Sequence, residues 1–258
     1  MDELFDVSGR TALVTGGSRG IGLMIARGLV RGGARVIISS RKQADLEDAA
    51  AELSREGECE PIVADLSTPE GSQALAAATR ERLSELHLLI NNAGAAWGAP
   101  LEEFPASGWD RVSHTNVEGV FHLTVALLGE LRAAASLEDP ARVINIGSID
   151  GLRAPALENY SYSASKAAVH MLTRHLAKRL AADNITVNAI APGPFESKMT
   201  AYFLGNPELR EAVEQEVPLR RIGRPDDVAG LTIFLASRAG SYLTGTVIPL
   251  DGGITGCN

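Results

Sequence analysis

The chain has 258 residues, of which 45% are apolar and 26 are glycine, and its formal net charge is −8 at pH 7. This length and composition suit one globular domain with a well-buried core, and they exclude collagenous and disordered chains. The acidic balance argues against a broad nucleic-acid-binding surface, because phosphate backbones attract positive charge. We therefore expect a single domain over residues 1–258 whose partner is a small molecule.

No stretch of the sequence predicts a membrane anchor. The longest apolar runs fall far short of the roughly 18 residues that a membrane-spanning helix requires. Residues 1–6 are acidic and lack the basic and apolar regions of a secretory signal. Cys59 and Cys257 show no disulfide framework, and neither they nor the scattered histidines have metal-ligand spacing. We predict a cytoplasmic protein without a metal site.

Apolar runs alternate with helical periodicities along the whole chain. The first run, 10–15, leads through a glycine-rich turn into a helical pattern that closes at Gly32 and Gly33. Further buried strands are predicted at 34–39, 61–64, 86–90, 142–146, 185–190 and 246–250. Strands joined by helical crossovers run parallel. The sequence therefore predicts an α/β fold, a Rossmann-type doubly wound sheet of seven parallel strands.

The turn after the first strand contains Gly16, Gly20 and Gly22. Glycines at such a junction let backbone amides and a helix N-terminus approach a pyrophosphate. The spacing Gly-x-x-x-Gly-x-Gly differs from the usual Gly-x-Gly-x-x-Gly fingerprint, and a glycine turn can also serve helix packing alone. Its position directly after a strand favours a dinucleotide site.

The end of the second strand indicates which dinucleotide is bound. Neither Ser39 nor Ser40 is the carboxylate that NAD-dependent enzymes place near this point. Arg41 follows instead, and Arg19 lies in the glycine turn. Guanidinium groups bind phosphate through planar, fixed donors, so the two arginines together predict a clamp on a 2′-phosphate, although either alone is typical of a solvated surface. We expect the cofactor to be NADP(H).

Tyr162 and Lys166 are separated by one helical turn within a segment of helical pattern. An ammonium group beside the phenol is expected to lower the pKa of Tyr162 from about 10 and so make it a usable acid. Ser148 lies upstream and could hold a substrate carbonyl. Taken alone, Tyr-x-x-x-Lys is also typical of a packed tyrosine and a solvated lysine on an amphipathic helix.

Together these motifs resemble the short-chain dehydrogenase/reductase family over essentially the whole chain. In chain order they are the glycine turn at 15–22, Asp65 and Leu66, 91–94, Asn116, Ser148, Tyr162 and Lys166, Pro192 and Gly193, and two closing motifs at 242–245 and 251–253. More narrowly, residues 96–98, 144–148 and 192–200 are similar to those of 3-oxoacyl reductases.

The resemblance implies a role for each of these residues. Ser148 would bond the substrate carbonyl, Tyr162 would protonate it, and Lys166 would hold the nicotinamide ribose and keep the pKa of Tyr162 low. Asn116 would anchor a water that passes protons to Lys166. The residues expected to bind the cofactor are Gly16, Ser18, Arg19, Gly20, Ile21, Gly22, Ser40, Arg41, Asp65, Leu66, Asn92, Ala93, Gly94, Tyr162, Lys166, Pro192, Gly193, Phe195 and Ser197.

The expected activity is NADPH-dependent reduction of a ketone to a secondary alcohol, with a 3-oxoacyl thioester or a similar β-keto compound as substrate. Two alternatives stay open. One is a polyol, sugar or other secondary-alcohol dehydrogenase of the same family, because fold and catalytic residues say little about substrate. The other is a nucleotide-sensing binding protein without turnover, against which the complete set of catalytic residues argues. The resemblance also implies a homotetramer.

Residues 192–218 form the longest irregular stretch of the sequence. Long insertions of this kind are often functional. Within it, 201–204 has a helical pattern and 208–216 is a charged run that predicts a solvated face. We interpret 194–218 as a mobile lid over an apolar substrate, and the alternative for 201–204 is a helix that packs on its own domain. Tyr160 is expected in the pocket wall, and Trp97 either in the core or at the site.

Overall fold

Seven strands form one sheet in the computed structural model, which describes residues 2–197 and 200–257. The strands are β1 (Thr11–Thr15), β2 (Arg35–Ser40), β3 (Cys59–Val63), β4 (Leu88–Asn91), β5 (Ala141–Ile146), β6 (Ile185–Pro192) and β7 (Val247–Leu250). They pair in the order β3-β2-β1-β4-β5-β6-β7, and every pair is parallel. The predicted seven-stranded parallel sheet is confirmed, with strand bounds that differ slightly from those expected.

Helices fill the connections between the strands. They are α1 (Gly20–Arg31), α2 (Gln43–Leu53), α3 (Pro69–Arg80), α4 (Ala106–Ser113), α5 (Gly119–Ala126), α6 (Leu128–Ala134), α7 (Tyr160–Leu180), α8 (Ala201–Leu204), α9 (Pro207–Glu216) and α10 (Pro225–Ala236). Helix α1 ends where predicted, because Gly33 adopts a φ of 82° that favours glycine. Between α4 and α5, His114–Glu118 forms a π-helical turn.

The sheet is buried on both faces because side chains alternate along each strand. Val14 and Ile90 pack into one core with α1, α2 and α10, whereas Leu13 and Leu89 pack into a second core with α3, α5, α6 and α7. All four side chains are fully buried, and burial of each stabilises the fold by about 1.5–3 kcal/mol. A shift of one residue in register would exchange the two cores, so the strand ends have fixed positions.

The direction of the strand order reverses between β1 and β4. Connections leaving the carboxyl ends of these two strands diverge, and the crevice between them is where doubly wound folds bind ligands. Asn92 fastens the two ends together, because its Nδ2 donates to the carbonyl oxygens of Thr15 and Gly16 at 2.9 and 3.2 Å. The backbone N–H of Asn92 also donates to Thr15 Oγ1 at 3.0 Å.

The stretch from 192 to 218 is less irregular than predicted, since it contains α8 and α9. Helix α9 starts with Asn206 accepting bonds from the first helical N–H groups, which is a favourable cap. No side chain of α9 is buried, so the predicted solvated face is confirmed. Residues 198 and 199 of the predicted lid lie outside the described residues.

Both ends of this stretch are anchored to the rest of the fold. Phe195 is 2% exposed and pairs through its backbone with Gly223, where a Cβ atom would collide with the Phe195 ring. Val217 is 1% exposed and packs in a small separate core with Ile149 and Ile254. The segment between these two points therefore has fixed ends, and although Leu204 of α8 is buried, α9 is exposed.

Within the described ranges, no helix combines the length and apolar character that crossing a bilayer requires. The same residues contain no group of three or more His, Cys, Asp or Glu side chains arranged to hold a metal ion. Cys59 is buried, Cys257 is exposed, and both are free thiols. Burial raises the pKa of Cys59 to about 12, so this thiol is inert.

Candidate active site

A cleft of about 470 Å³ opens at the carboxyl ends of the strands, along the crevice between β1 and β4. All the residues that the sequence predicts to bind the cofactor line this cleft, with the exception of Gly22. Ser148 also lines it. Residues from seven separate segments of the chain thus meet at one edge of the sheet, as expected for parallel strands that all end there.

The glycine turn has no room for side chains at two of its positions. A Cβ atom on Gly16 would lie 2.7 Å from Asn92 Nδ2, and one on Gly22 would collide with both Asn92 and the Gly16 carbonyl. Gly22 therefore packs behind the turn and does not face the cleft. Gly20 has a φ of 55°, and it begins α1 with the helix N-terminus directed at the cleft. Packing and ligand approach both account for the glycines here.

Positive charge is concentrated at the end of the cleft beyond β2. Arg19, Arg41 and Lys42 line this end together with two carboxylates, those of Asp45 and Asp65. Arg19 Nη1 lies 3.8 Å from Asp45 Oδ2, and both side chains are about half exposed, so their attraction is weak. Three cations against two carboxylates leave a net positive charge, and the residues present thus suit the 2′-phosphate of NADP(H). Lys42 is a contributor that the sequence analysis missed, although it directly follows Arg41.

The opposite end of the cleft brings together Ser148, Tyr162 and Lys166. Ser148 follows β5, whereas Tyr162 and Lys166 lie one turn apart on α7. Lys166 is 5% exposed, its Nζ donates to the Ile146 carbonyl at 2.8 Å, and it lies 5.4 Å from the centroid of the Tyr162 ring. The structure thus brings these three side chains together at one end of the cleft.

The expected lowering of the Tyr162 pKa is wrong for this structure. Burial raises the pKa of Tyr162 to about 12, with Asp150 acting in the same direction and a hydrogen bond with Ser148 opposing both. Burial also lowers the pKa of Lys166 to about 8, against the attraction of Asp150. Spacing correctly predicted that the two groups meet, but it did not reveal that both are desolvated. The phenol is protonated at neutral pH and can donate a proton.

Asn116 lies in the π-helical turn and is 1% exposed. Its Oδ1 accepts from the backbone N–H of Ala95 at 2.7 Å, and its Nδ2 donates to the Ala95 carbonyl and to Ser165 Oγ, both at 2.9 Å. A Cβ atom on Gly94 would lie 3.4 Å from Asn116 Oδ1 and 3.9 Å from Lys166 Nζ. The side chain of Asn116 therefore fastens the loop after β4 to α7, close to Lys166.

Asp150 is a charged group near this end that the sequence analysis did not single out. Its backbone N–H donates to Ser148 Oγ at 3.1 Å, and its Oδ2 accepts from Asn159 Nδ2 at 3.2 Å. Burial raises the pKa of Asp150, opposed by Asn159, Arg153 and Lys166. The contact with Asn159 closes the loop between Ser148 and α7.

Two aromatic residues occupy positions that differ from those expected. Tyr160 lies outside the residues that line the cleft; its ring packs edge-on against Phe104 with centroids 5.5 Å apart, and its hydroxyl donates to Glu158 at 3.1 Å. Residues two apart on a helix point in different directions, so Tyr160 cannot share the side of Tyr162. Trp97 lies under Arg111, which does line the cleft.

His170, one turn after Lys166, is buried beneath the loop that carries Ser148. The side chain is 3% exposed. A Cβ atom on Gly147 would collide with its ring, and one on Gly151 would lie 2.8 Å from its Cε1. Burial lowers the pKa of His170 from its ordinary value to about 4. The ring is therefore neutral at pH 7.

We expect this histidine to make the fold sensitive to acid. In the unfolded chain His170 binds a proton near pH 6.5, whereas in the folded chain it binds one only near pH 4. The stability of the fold therefore falls as the pH drops through this range. The loss between pH 7 and pH 5 should be about 2 kcal/mol. Urea unfolding at the two pH values should show that His170→Asn removes this difference, whereas His175→Asn, exposed on the same helix, retains it. An unchanged difference in His170→Asn would refute the assignment.

Known proteins are similar to this chain in sequence and in fold. A family model described as "Enoyl-(Acyl carrier protein) reductase" matches residues 16–255. The chain is 51% identical to the "Rhamnolipids biosynthesis 3-oxoacyl-[acyl-carrier-protein] reductase" of Pseudomonas aeruginosa, over 98% of this chain and 99% of that protein. It is 35% identical to the "Gluconate 5-dehydrogenase" of Gluconobacter oxydans, over 98% and 97%.

A solved structure described as "Pseudomonas aeruginosa RhlG/NADP active-site complex" superimposes with a TM-score of 0.96 at 50% identity, covering 99% of this chain and 100% of that one. The narrower similarity to a 3-oxoacyl reductase is thereby confirmed. The family match spans most of the sequence, and the NADP complex has the same fold. The chain therefore belongs to the short-chain dehydrogenase/reductase family, as an NADP-dependent oxidoreductase that reduces a ketone.

Proposed function

We propose that this protein reduces a 3-oxoacyl thioester, or a similar β-keto compound, to the secondary alcohol with NADPH. The observation that carries the proposal is the meeting of Ser148, Tyr162 and Lys166 at one end of a cleft whose other end presents Arg19 and Arg41. The substrate class is supported by the name of the relative that is 51% identical over nearly the full length of both chains.

The cleft would hold NADP(H) along its length, and the bound cofactor would supply the hydride. The glycine turn and the N-terminus of α1 would bind the pyrophosphate, with Arg19, Ser40 and Arg41 around the 2′-phosphate. The remaining contacts would be made by Asp65 and Leu66 with the adenine, by Asn92, Ala93, Gly94 and Lys166 near the nicotinamide ribose, and by Pro192, Gly193, Phe195 and Ser197 around the nicotinamide.

The chain's own residues would orient the carbonyl and move the proton. Ser148 would donate a hydrogen bond to the carbonyl oxygen, and Tyr162 would transfer its phenolic proton to the same oxygen. Because the pKa of Tyr162 is raised to about 12, the phenol carries this proton throughout the neutral range. Lys166, with its pKa lowered to about 8, would return a proton to the phenolate, and a water anchored at Asn116 would pass a proton to Lys166.

We further propose that residues 194–218 act as a lid over the substrate. The anchors at Phe195 and Val217 and the absence of buried side chains on α9 support this. Ser197 and Thr200, near the start of the segment, both line the cleft. Fixed ends with an exposed middle are the arrangement in which a loop can open and close without unfolding its surroundings.

The protein is also proposed to be a homotetramer of the cytoplasm. Phe121 and Val125 on α5 and Met171 on α7 are apolar yet 41%, 44% and 60% exposed, which supports contacts between subunits. The free thiols of Cys59 and Cys257 suit a reducing compartment. Light scattering after size-exclusion chromatography tests the assembly: a monomeric mass for the purified protein would rule it out.

Initial rates of NADPH oxidation would test the substrate assignment. The panel contains 3-oxoacyl thioesters of increasing chain length, simple ketones and keto-sugars. Rates that rise with acyl chain length would support the proposal. The second candidate, a sugar or polyol dehydrogenase, is favoured by the gluconate 5-dehydrogenase relative, and faster turnover of 5-ketogluconate than of every thioester would support it instead. Tight NADPH binding without any turnover would argue for the nucleotide-sensing alternative.

A further inference from the structure

We propose that Arg111 is a specificity residue that binds an oxyanion of the substrate, such as the phosphate of a phosphopantetheine thioester or the carboxylate of a keto acid. This inference rests on the proposed function, because it concerns the molecule that Ser148 and Tyr162 act on. It concerns the part of that molecule outside the reacting carbonyl.

Arg111 lies on α4 and lines the same cleft as Ser148 and Tyr162, next to Ala96 and Thr115. The side chain is exposed. Within residues 2–197 and 200–257, Arg111 forms no ion pair, and its guanidinium makes no side-chain hydrogen bond. Its N–H donors are therefore available to a ligand in the cleft.

The guanidinium lies over an aromatic ring. Its central carbon is 5.9 Å from the centroid of the Trp97 indole, in cation–π contact. The indole in turn sits against Gly108, where a Cβ atom would lie 2.8 Å from Trp97 Cγ. A cation–π contact favours this position of the guanidinium and leaves its N–H donors free, and a guanidinium with free donors can bind phosphate or carboxylate.

Arg111 is also held at a fixed position relative to the catalytic end of the cleft. Ser161 Oγ donates to the Gly108 carbonyl at 3.3 Å in a buried contact. Ser161 is the neighbour of Tyr162 in α7, so this bond joins the helix of Arg111 to the helix of the proposed proton donor. An oxyanion on Arg111 and a carbonyl at Tyr162 would thus have a set separation, which is how an enzyme selects and orients a substrate.

The other cations of the cleft already have partners or assignments. Arg19, Arg41 and Lys42 line the end assigned to the 2′-phosphate, and Lys166 is bonded to a backbone carbonyl. On a chain of net charge −8, one available guanidinium at the cleft has a strong influence on which ligands enter, because the rest of the surface repels anions.

A matched pair of substrates would test the proposal. One is a 3-oxoacyl phosphopantetheine thioester, and the other is the same thioester of pantetheine, which lacks the phosphate. For Arg111→Gln we expect the KM of the phosphorylated substrate to rise about 10-fold with kcat retained, as for the loss of one charge-assisted contact. The KM of the neutral substrate and the Kd of NADPH should stay within about twofold.

Two further variants separate recognition from structural damage. Trp97→Leu should raise the KM of the phosphorylated substrate alone, because the guanidinium loses its stacking partner. Arg55→Gln removes an exposed cation that does not line the cleft and should change neither KM. Equal losses of Arg111→Gln on both thioesters, or a matching rise in the Kd of NADPH, would overturn the proposal.

Failure of the proposed function would have a different signature. If the unmodified enzyme turns over neither thioester, the substrate assignment is wrong, and the same variants are measured with anionic 5-ketogluconate against the neutral keto-sugar L-tagatose. A KM rise confined to 5-ketogluconate would support Arg111 as the oxyanion site. Equal effects on these two substrates, or no turnover of either, would overturn it.

Discussion

Tyr162→Phe is expected to lower kcat for ketone reduction by about 10³-fold while leaving the Kd of NADPH within about twofold, as for loss of a general acid. The substitution removes the proton donor and keeps the ring, which is partly buried at the lining of the cleft. Initial rates at saturating substrate give kcat, and fluorescence titration with NADPH gives Kd. Ordinary turnover by this variant would eliminate Tyr162 as the acid.

Tyr160→Phe is the matched control for that experiment. Its hydroxyl bonds, among the described residues, only to the exposed Glu158 and lies outside the lining of the cleft, so kcat should be unchanged.

The unmodified enzyme should also show a characteristic pH profile. Reductive kcat/KM should fall above about pH 8, where Lys166 loses its proton, well below the pKa of Tyr162 at about 12. A rate that holds steady to pH 10 would mean that Lys166 does not take part in its charged form.

Arg41→Ala should raise the Kd of NADPH by about 10- to 100-fold and that of NADH by less than about twofold. The guanidinium is exposed at the rim of the cleft, where it can bind the 2′-phosphate that only NADPH carries. Binding titrations of both cofactors at low and high salt give the comparison. The difference between them should shrink as salt rises, because an exposed charge pair is screened.

Arg55→Ala provides the control for charge alone, since Arg55 is exposed just beyond α2 and does not line the cleft. It should leave both dissociation constants as they are. If Arg41→Ala weakened NADH as much as NADPH, the side chain would be supporting the loop and not reading the 2′-phosphate. Arg19 or Lys42, at the same positively charged end of the cleft, would then have to determine the choice between NADPH and NADH.

The strands and the meeting of the site residues could be predicted because both follow from patterns along the chain. Runs such as 143–146 contain no charged residue and are mostly apolar, which indicates burial on both faces of a parallel sheet. Once the strands are known to be parallel, residues that follow them, such as Asn92 and Ser148, must lie at one edge. The glycine turn adds the direction of the first helix, and this was enough to place the cofactor cleft.

Other features depend on contacts that no local pattern contains. The pKa of Tyr162 rises because α7 is packed into the fold, and sequence spacing reports the neighbour Lys166 but not the loss of water around both. The bonds of Asn116 to Ala95 join positions 21 residues apart. Arg111 resembles any solvated arginine on a helix until Trp97 is seen beneath it. Helix α9 was missed as a helix because its charged run lacks an apolar periodicity.

Most residues of the two cores lie away from the cleft, although Leu66, Ile146 and Phe195 belong to both. This separation bears on how the protein can change over evolutionary time. Stability is concentrated in side chains between the sheet and its helices, whereas substrate contacts lie on connections beyond the carboxyl edge. Substitutions in those connections can alter what is bound without weakening the cores that fold the chain. A gluconate dehydrogenase that is 35% identical along its whole length is consistent with such divergence. New substrate preferences should therefore be reachable by exchanging loops on an unchanged framework.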